Sequence, residues 1–349
     1  MSCGSNLDSV AMNPLRGVTL AGPEFGTQKP GFCAGDSGVF DRDYTWNSRQ
    51  TVRWFASRGF GVFRIPFRWE RMQPELGGAL DVAEIRRLKK TVDWIESCGG
   101  EAILDLHNFG HYTFSTPNGP LEVALEQEVG GEKPLTAAHL ADFWTRISVV
   151  FSNTAGVKAY GLMNEPHDLP DGAWKLCSQA AVSAIRKRGD KTAVLVAGDD
   201  WSNSELWEQA NGPNSWIDDP ANNFIYEAHC YFDYDASGEY KTGYDRELWL
   251  DPDLTKRPQT RLQPFINWCR RNHARGLMGE IGVPGHEKRW EPLLRDAIAL
   301  LDMAEIPSCY WAAGEWWGDY PLSLQPRNDF TEQSSQMSWF LGGEGGKRP

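Results

Sequence analysis

Residues 158–166, KAYGLMNEP, combine a short β-rich run with a polar end. The run predicts a buried strand, and Asn164 and Glu165 stand at its tip. In a barrel of parallel strands, all strands end at the same face, and functional side chains collect there. This stretch therefore predicts a parallel α/β fold that presents a carboxyl group at its mouth.

Similar runs recur on both sides of this stretch and alternate with helical segments. Ile85, Leu88, Val92 and Ile95, for example, recur at three- and four-residue spacing and give one buried stripe. Eight strands with interleaved helices predict a closed (β/α)8 TIM barrel, a single domain with enlarged βα loops, rather than an open doubly wound sheet. The predicted strands are 17–21, 61–66, 101–107, 158–164, 192–198, 223–229, 276–281 and 307–312, and the predicted helices are 46–58, 81–97, 136–152, 172–188, 203–210, 261–275 and 287–303.

Six of the predicted strands end in polar or aromatic side chains. Because the strands of a barrel end on one face, these side chains should converge on one cavity. Four long segments, 22–45, 108–134, 231–258 and 314–331, would form its walls. We expect an N-terminal extension at 1–14, a catalytic domain at 15–341 and a tail at 342–349. The converging residues are Arg64, His107, Asn164 with Glu165, His229, Glu280 and Trp311.

Two of these residues can form a carboxylate pair. Glu165 ends the fourth predicted strand and Glu280 lies on the seventh, so their carboxyl groups should face each other across the mouth. Hydrolysis of a glycosidic bond needs one carboxyl group to protonate the leaving oxygen and another to attack the anomeric carbon or to activate water. The pair therefore indicates glycoside hydrolysis.

The motifs around this pair resemble glycoside hydrolase family 5, the cellulase family, from about residue 16 to residue 326. They include Phe63-Arg64-Ile65-Pro66, Leu104-Asp105-Leu106-His107-Asn108, Met163-Asn164-Glu165-Pro166, His229-Cys230-Tyr231, Gly279-Glu280 and Tyr310-Trp311-Ala312-Ala313-Gly314. Segments 17–22, 67–71 and 311–318 are similar to the microbial endo-β-1,4-glucanases. The chain departs from the family pattern at Glu315, where Pro is common, and in the loop 109–114.

The resemblance implies a role for each residue at the mouth. Glu165 would be the acid/base, with a raised pKa, and Glu280 the ionised nucleophile of a retaining, double-displacement reaction. The guanidinium of Arg64 and the hydroxyl of Tyr231 would support the Glu280 carboxylate. The remaining roles concern the sugar: Asn164 would bind its 2-hydroxyl, His107 and His229 would hydrogen-bond it or tune Glu165, and Trp311 would form an aromatic floor.

The 16 tryptophans divide by position. Trp54, Trp94, Trp144 and Trp268 fall in predicted helices, where packing is expected. Others follow strand ends or lie in loops, where an aromatic ring could stack on a sugar face. Of these, Trp201 and Trp316 are the preferred candidates for substrate platforms; the rest are Trp69, Trp207, Trp216 and Trp317.

Charge, cysteine spacing and missing motifs argue against several partners and cofactors. The formal charge of −12 disfavours nucleic acid and anionic membranes. No apolar run is long enough for a membrane span, and the first residues show no signal-peptide pattern. The seven cysteines form no CxxC pair, which argues against a zinc site. No Gly-rich phosphate loop is present, and hydrolysis needs only water, so no cofactor is expected.

Several alternatives to a cellulase remain open. The same mechanism could act on mannan, glucomannan, xyloglucan or a mixed-linkage β-glucan. A metal-dependent amidohydrolase would need a His-x-His motif on the first strand, which here reads Gly-Val-Thr-Leu-Ala at 17–21. His107 and His111 are four residues apart but in a predicted loop, so a metal pair is disfavoured. A sugar-binding protein without catalysis is a further alternative. Because polymeric substrates do not cross membranes, the native protein is expected to be secreted.

Overall fold

The computed structural model describes residues 16–342. Eight parallel strands close into a barrel, in the order β1-β10-β9-β8-β7-β6-β3-β2, with β2 returning to β1. The predicted TIM barrel is therefore confirmed. Its strands are β1 (Arg16–Leu20), β2 (Val62–Phe67), β3 (Glu101–Leu106), β6 (Val157–Gly161), β7 (Ala193–Ala197), β8 (Phe224–Tyr231), β9 (Gly276–Gly282) and β10 (Ser308–Ala313).

The barrel interior changes from apolar to charged along its axis. A cluster of small and branched apolar side chains fills the lower part: Val62, Ile103, Ala159, Ala193, Leu195, Leu277 and Cys309. Two residues further along their strands, Arg64 and Asp105 follow Val62 and Ile103, and both are fully buried. Side chains two residues apart on a strand point to the same side, so the charged residues form the next layer toward the mouth.

Helices surround the barrel and begin where the sequence places capping residues. Asp81 accepts hydrogen bonds from the backbone amides of Ala83 and Glu84, and Ser48 accepts one from Thr51. Such side chains satisfy amides that have no partner in the first turn. The helices between barrel strands include α1 (Arg49–Ser57), α3 (Val82–Ser97), α4 (Ala137–Phe151), α5 (Ala173–Lys187), α6 (Trp207–Asn211), α8 (Arg257–Arg271) and α9 (Glu291–Met303).

The structure also contains elements that the sequence patterns did not predict. Strands β4 (His111–Thr116) and β5 (Gly119–Ala124) form an antiparallel hairpin inside the segment predicted as a loop. The short helices α2 (Trp69–Met72) and α7 (Tyr244–Leu250) lie in connections that follow barrel strands. Helix α10 (Ser335–Leu341) brings Phe340 against Phe60. Each of these elements is too short to give a clear periodic signal.

Several predicted boundaries were wrong by a few residues. Helix α8 begins at Arg257, four residues before its predicted start, because Pro258 fits the first helical turn and the backbone is continuous from there. Helix α6 begins at Trp207 rather than at 203, because Asn203 pairs with His229 as an isolated β-bridge and its side chain accepts hydrogen bonds from the amides of Glu205 and Leu206. The predicted extension 1–14 and, apart from Gly342, the tail 342–349 lie outside the described residues.

The packing tryptophans are placed largely as predicted. Trp54, Trp144 and Trp268 are buried, and Trp94 is partly buried against the core. Trp69 and Trp207, considered as possible sugar platforms, are fully buried and therefore belong to the core. All six described cysteines are unpaired. Among residues 16–342, no helix is both long and apolar enough to cross a membrane.

Candidate active site

Glu165 and Glu280 face each other at the mouth of the barrel. Glu165 follows β6 and Glu280 lies on β9, and a carboxylate oxygen of each lies within 4.8 Å of the other and of a ring nitrogen of His229. Retaining glycosidases hold their carboxyl groups about 5–5.5 Å apart, whereas inverting enzymes need about 6.5–9.5 Å to admit water between them. The separation is therefore in the range for a direct attack by one carboxylate.

Glu280 has a donor on each carboxylate oxygen. Nη1 of Arg64 lies 3.0 Å from Oε1, and the hydroxyl of Tyr231 donates to Oε2 at 2.6 Å. Both contacts were predicted from the sequence. Arg64, however, lies in the middle of β2 rather than at its end, so it approaches Glu280 from inside the barrel. Glu280 itself is buried, with 4% of the residue exposed.

Glu165 is paired with His229. Nδ1 of His229 lies 2.6 Å from Oε1 of Glu165 and 3.7 Å from Oε2 of Glu280. The backbone of Glu165 has φ +44°, a left-handed conformation that is uncommon for a residue with a side chain. His229 therefore lies between the two carboxyl groups. Its contact with Glu165 agrees with the prediction that His229 tunes that residue.

A layer of buried charges supports these residues from below. Arg64 Nε lies 3.0 Å from Oε1 of Glu227, and Nη2 lies 3.1 Å from Oδ1 of Asp105. Nη2 also donates to the side-chain oxygen of Asn164 at 2.5 Å. Arg64 therefore contacts three carboxylates and one amide at once. Because the group is buried, removal of one charge would leave another charge uncompensated.

The protonation order in this network differs from the sequence expectation. Burial raises the pKa of Glu280 to about 7, against the lowering effect of His229 and Arg64. For Glu165 burial also acts to raise the pKa, but the charge and hydrogen bond of His229 outweigh it, and the pKa is lowered. The expected raised pKa of Glu165 was therefore wrong for this structure, and so was the expectation that Arg64 keeps the pKa of Glu280 low. The physical reason is that Glu165 binds His229 directly, whereas Glu280 shares Arg64 with Asp105 and Glu227.

The other predicted sugar-binding residues contact one another and the buried charges of the site. His107 donates or accepts through Nδ1 to Asp105 at 2.8 Å, and its ring is nearly parallel to that of Trp311, 5.5 Å away. Burial, with the charge of Arg64, lowers the pKa of His107, so its ring is neutral. The side-chain nitrogen of Asn164 lies 3.4 Å from Nε2 of His107. Asn164, His107 and Trp311 therefore form one contiguous group that is joined to Arg64 and Asp105.

Trp201 extends the site to one side. It lines a cavity of about 430 Å³ together with Glu165, His229 and Tyr231. Its ring stacks on that of His167, with centroids 3.4 Å apart and planes within 10°, and 47% of the residue is exposed. An exposed ring of this kind can carry the apolar face of a sugar.

Trp316 lies on the loop after β10 and is 42% exposed. Its neighbour Trp317 contacts Trp311 and stacks on Tyr320. The indole nitrogen of Trp311 in turn donates to the hydroxyl of Tyr320. Of the loop tryptophans considered as platforms, Trp201 and Trp316 are thus the most exposed, whereas Trp216 and Trp317 are partly buried.

The catalytic pair and His229 also carry the donor types of a metal site, unlike the His107 and His111 pair weighed from the sequence. Glu165, His229 and Glu280 offer two oxygens and a nitrogen close together. However, Nδ1 of His229 already forms a hydrogen bond with Glu165 at 2.6 Å, and Oε2 of Glu280 already accepts one from Tyr231. These donor–acceptor contacts fit a shared proton, because each needs a hydrogen between the two atoms.

The sequence patterns missed two charged residues of the site, Asp105 and Glu227. Both are acidic residues inside otherwise apolar strands, and each stands two positions before a histidine of the site. Because alternate residues share a side of a strand, this spacing was a usable signal. His167, which supports Trp201, was also missed, since nothing in the sequence specifies their stacking.

Comparison with known proteins agrees with this geometry. Residues 22–317 match the family model for cellulase (glycosyl hydrolase family 5). Endo-beta-1,4-glucanase B of Emericella nidulans is 28% identical over 313 residues, covering 89% of this chain and 85% of that protein. The manganese dependent endoglucanase Eg5A of Phanerodontia chrysosporium is 30% identical, covering 93% of this chain and 78% of that protein.

The solved structure of Pseudomonas stutzeri endoglucanase Cel5A, in complex with cellobiose, has a TM-score of 0.81 and 32% identity to this chain. The match covers 94% of this chain and 91% of that one. The family match covers residues 22–317, which include most of the barrel and the site at its mouth. The chain belongs to glycosyl hydrolase family 5, the cellulase family.

Proposed function

We propose that this protein is an endo-β-1,4-glucanase that cleaves internal bonds of cellulose or a related β-glucan by double displacement. The observation that carries this proposal is the short separation of the Glu165 and Glu280 carboxyl groups, which suits a retaining reaction. The relatives support the choice of polymer, since the Emericella nidulans protein is named an endo-beta-1,4-glucanase and the Pseudomonas stutzeri structure holds cellobiose.

In the first half of the proposed reaction, Glu280 attacks the anomeric carbon and Glu165 gives a proton to the departing oxygen. Arg64 and Tyr231 hold the attacking carboxylate in place through its two oxygens. As the glycosyl ester bond forms, the Glu280 carboxylate loses its negative charge and the contacts from Arg64 and Tyr231 weaken. Asn164, whose side-chain oxygen accepts from Arg64, would bind the sugar 2-hydroxyl, a contact that strengthens in the transition state.

His229 supplies the proton that Glu165 needs. In the structure the pKa of Glu165 is lowered, and the short contact with Nδ1 of His229 lets the proton reside on the imidazole. The proton passes to Glu165 and then to the leaving oxygen. In the second half Glu165 removes a proton from water, the hydroxide breaks the ester bond to Glu280, and the proton returns to His229. The cycle consumes one water molecule.

The roles of the two carboxyl groups can be separated by substitution. Glu280→Ala removes the nucleophile and should abolish hydrolysis of soluble cellulose derivatives while sugar binding and the melting temperature stay near wild type. Glu165→Ala should lose polysaccharide hydrolysis but retain the first step on an aryl β-cellobioside with a good leaving group, since that group departs without a proton. Wild-type hydrolysis by Glu280→Ala would overturn the assignment.

Configuration of the product gives an independent test. Proton NMR of the first product from an aryl cellooligosaccharide should show the β-anomer before mutarotation. An α-anomer would require an inverting reaction and would contradict the direct attack by Glu280. Trp201 and Trp316 are proposed as sugar platforms on the two sides of the site, with Trp311 as the floor.

The choice of polymer is tested separately from the mechanism. Purified protein is incubated with carboxymethyl cellulose, mixed-linkage β-glucan, xyloglucan, glucomannan and mannan, and products are sized. The expected result is random internal cleavage with the highest rate on a β-1,4-glucan. Preference for mannan or xyloglucan would keep the mechanism and change the substrate. Reducing-sugar release also separates an enzyme from a sugar-binding protein, and insensitivity to chelators separates it from a metal-dependent amidohydrolase.

We further propose that the native protein acts outside the cell. The substrate is a polymer that does not cross a membrane, so enzyme and substrate can meet only if the enzyme is exported. Detection of the protein in the culture medium of its source, with retention in the cell as the contrary result, tests this point.

A further inference from the structure

Glu227 is a buried carboxylate beneath the proposed catalytic pair. It lies on β8, two residues before His229, so both side chains point into the barrel. Only 1% of Glu227 is exposed, and its Oε1 lies 3.0 Å from Nε of Arg64. The same oxygen lies 3.6 Å from Nε2 of His229. Glu227 therefore lies within ion-pair distance of both cations of the site, although Nε2 of His229 makes no hydrogen bond within the described residues, and it does not line the cavity beside Glu165.

The space that Glu227 occupies is provided by Gly279. A Cβ atom added to Gly279 would lie 1.9 Å from Oε1 of Glu227. No positive φ angle is involved, so the glycine is required by this close approach and not by its backbone conformation. The Gly279-Glu280 motif thus has two functions on β9: Glu280 faces the mouth, and Gly279 admits a carboxylate from the neighbouring strand.

We propose that Glu227 is a positioning residue that keeps His229 in its doubly protonated, cationic form, so that the imidazole can supply the acid proton to Glu165. This inference rests on the proposed function. His229 has carboxylates on both ring nitrogens: Glu165 and Glu280 near Nδ1, and Glu227 near Nε2. A neutral imidazole carries only one N–H, whereas the cation offers one to each side.

The charges that face His229 come from β2, β3, β8 and β9 and from the residue that follows β6; β7, which pairs with β8, is apolar. Glu227 is the acidic group on the Nε2 side among the described residues, and it acts against the positive charge of Arg64. The facing titratable groups are Arg64 on β2, Asp105 and His107 at β3, Glu165 after β6, Glu227 and Tyr231 on β8, and Glu280 on β9.

The direction of the pKa shifts agrees with this geometry. Burial acts to lower the pKa of His229, but Glu280, Glu165 and the contact with Glu227 raise it to about 10. Burial also acts to raise the pKa of Glu227, and Arg64 and His229 outweigh it, so the pKa is lowered and Glu227 stays ionised.

Glu227→Gln tests the proposal because it keeps the shape of the side chain and removes its charge. Loss of that charge should let His229 release its proton at lower pH, so the basic limb of kcat/KM should move to lower pH by about one unit or more. We expect kcat to fall about tenfold or more while KM changes little, since Glu227 does not reach the sugar. Glu227→Asp, which restores the charge, should recover part of the basic limb.

A purely structural role makes a different prediction. If Glu227 only neutralises Arg64 for stability, Glu227→Gln lowers the melting temperature and leaves the pH profile where it was. An unchanged basic limb in a folded Glu227→Gln variant would overturn the proposal.

A spectroscopic test does not depend on catalysis. The protein is labelled with ¹⁵N-histidine, and the His229 resonances are identified by their loss in His229→Gln. In wild type both ring nitrogens should remain protonated through neutral pH, and in Glu227→Gln the imidazole should titrate at lower pH. Identical His229 titrations in the two proteins would contradict the inference. If the wild type shows this cation but no glycan hydrolysis, the proposed function fails and the inference about His229 stands.

Gly279→Ala provides a second perturbation of the same contact. The added methyl group should displace the Glu227 carboxylate, and the basic limb should move in the same direction as in Glu227→Gln. In a Glu227→Ala background the space is empty, so Gly279→Ala should add little further loss. Gly276→Ala on the same strand is the matched control, since its Cβ would meet Cys269 and Phe265 instead. If Gly279→Ala lowered kcat/KM equally in wild type and in Glu227→Ala, the substitution would not act through the Glu227 carboxylate, and the proposal would be contradicted.

Discussion

The hydroxyl of Tyr231 lies 2.6 Å from Oε2 of Glu280, on the opposite oxygen from the one that Arg64 contacts. The two donors differ in what they contribute. Arg64 divides its charge among Glu280, Glu227 and Asp105, whereas the Tyr231 hydroxyl donates to Glu280. The hydrogen bond from Tyr231 lowers the pKa of Glu280 against the larger effect of burial. After burial, His229, Glu165 and Arg64, Tyr231 is thus a further influence on the pKa of Glu280, and it favours the ionised form.

Tyr231→Phe removes this hydrogen bond. The pKa of Glu280 should rise, because the ionised form loses a donor, and the acid limb of kcat/KM should move to higher pH by about half to one unit. The rate should be lost first at low pH and recover as pH rises. Tyr234→Phe, an exposed tyrosine on the same segment, is the control and should leave the profile unchanged. An unmoved acid limb in Tyr231→Phe would contradict this role.

The strands of the barrel were predictable because burial on both faces leaves continuous apolar runs. The strand at Glu101–Leu106 begins as predicted, and His107 follows it directly. The tips of the strands then placed the site, since parallel strands in a closed barrel end on one face. The hairpin β4–β5 was not predictable in this way, because each of its six-residue strands is only partly buried and mixes polar with apolar residues.

The sequence predicted which residues belong to the site better than it predicted how deep in the barrel each of them lies. Arg64 was expected near a strand end and instead lies inside the barrel, where it contacts Asp105 and Glu227. The protonation order depends on this depth, because burial acts on Glu280 more strongly than its donors do. Sequence patterns give the side of the strand that a residue faces, but the sharing of one guanidinium among three carboxylates is a property of the assembled barrel.

Glu315, where the family often has Pro, links the last βα loop to the first helix. Its Oε1 accepts hydrogen bonds from the backbone amide of Ser48 and from the hydroxyl of Thr51, at the start of α1. A carboxylate at this end of a helix also faces the positive end of the helix dipole. Glu315→Ala should lower the free energy of unfolding by about 0.5–1 kcal/mol, measured by urea denaturation. Glu128→Ala, at an exposed loop position, should have little effect, and equal losses from both would contradict the capping role.

Glu24 makes stability depend on pH in the opposite sense from most carboxylates. Burial raises its pKa from 4.5 to about 8, although the amide of Gly22 donates to it. Between these values the folded state holds a proton that the unfolded chain has released, so this contribution weakens stability as pH rises through that range. Glu24→Gln, which needs no proton to be neutral, should therefore stabilise the protein more at pH 8 than at pH 5.

The gain for Glu24→Gln at pH 8 is expected to be on the order of 1–3 kcal/mol. Denaturant unfolding at the two pH values measures it, with the exposed Glu122→Gln as the control. A gain that does not grow with pH would show that Glu24 is ionised in the folded protein.

Trp201 offers an exposed ring next to Glu165, and its contribution should depend on substrate length. Trp201→Ala removes the stacking face while leaving the carboxylate pair intact. KM for cellopentaose and for soluble polymer should rise about tenfold, because one sugar–aromatic contact is lost. KM for an aryl cellobioside that does not reach Trp201 should change little. Trp249→Ala is the matched control, since Trp249 is 69% exposed on α7 and lies outside the cavity that contains Glu165. Equal effects on short and long substrates would mean that Trp201 supports the backbone around Glu165 instead of binding sugar.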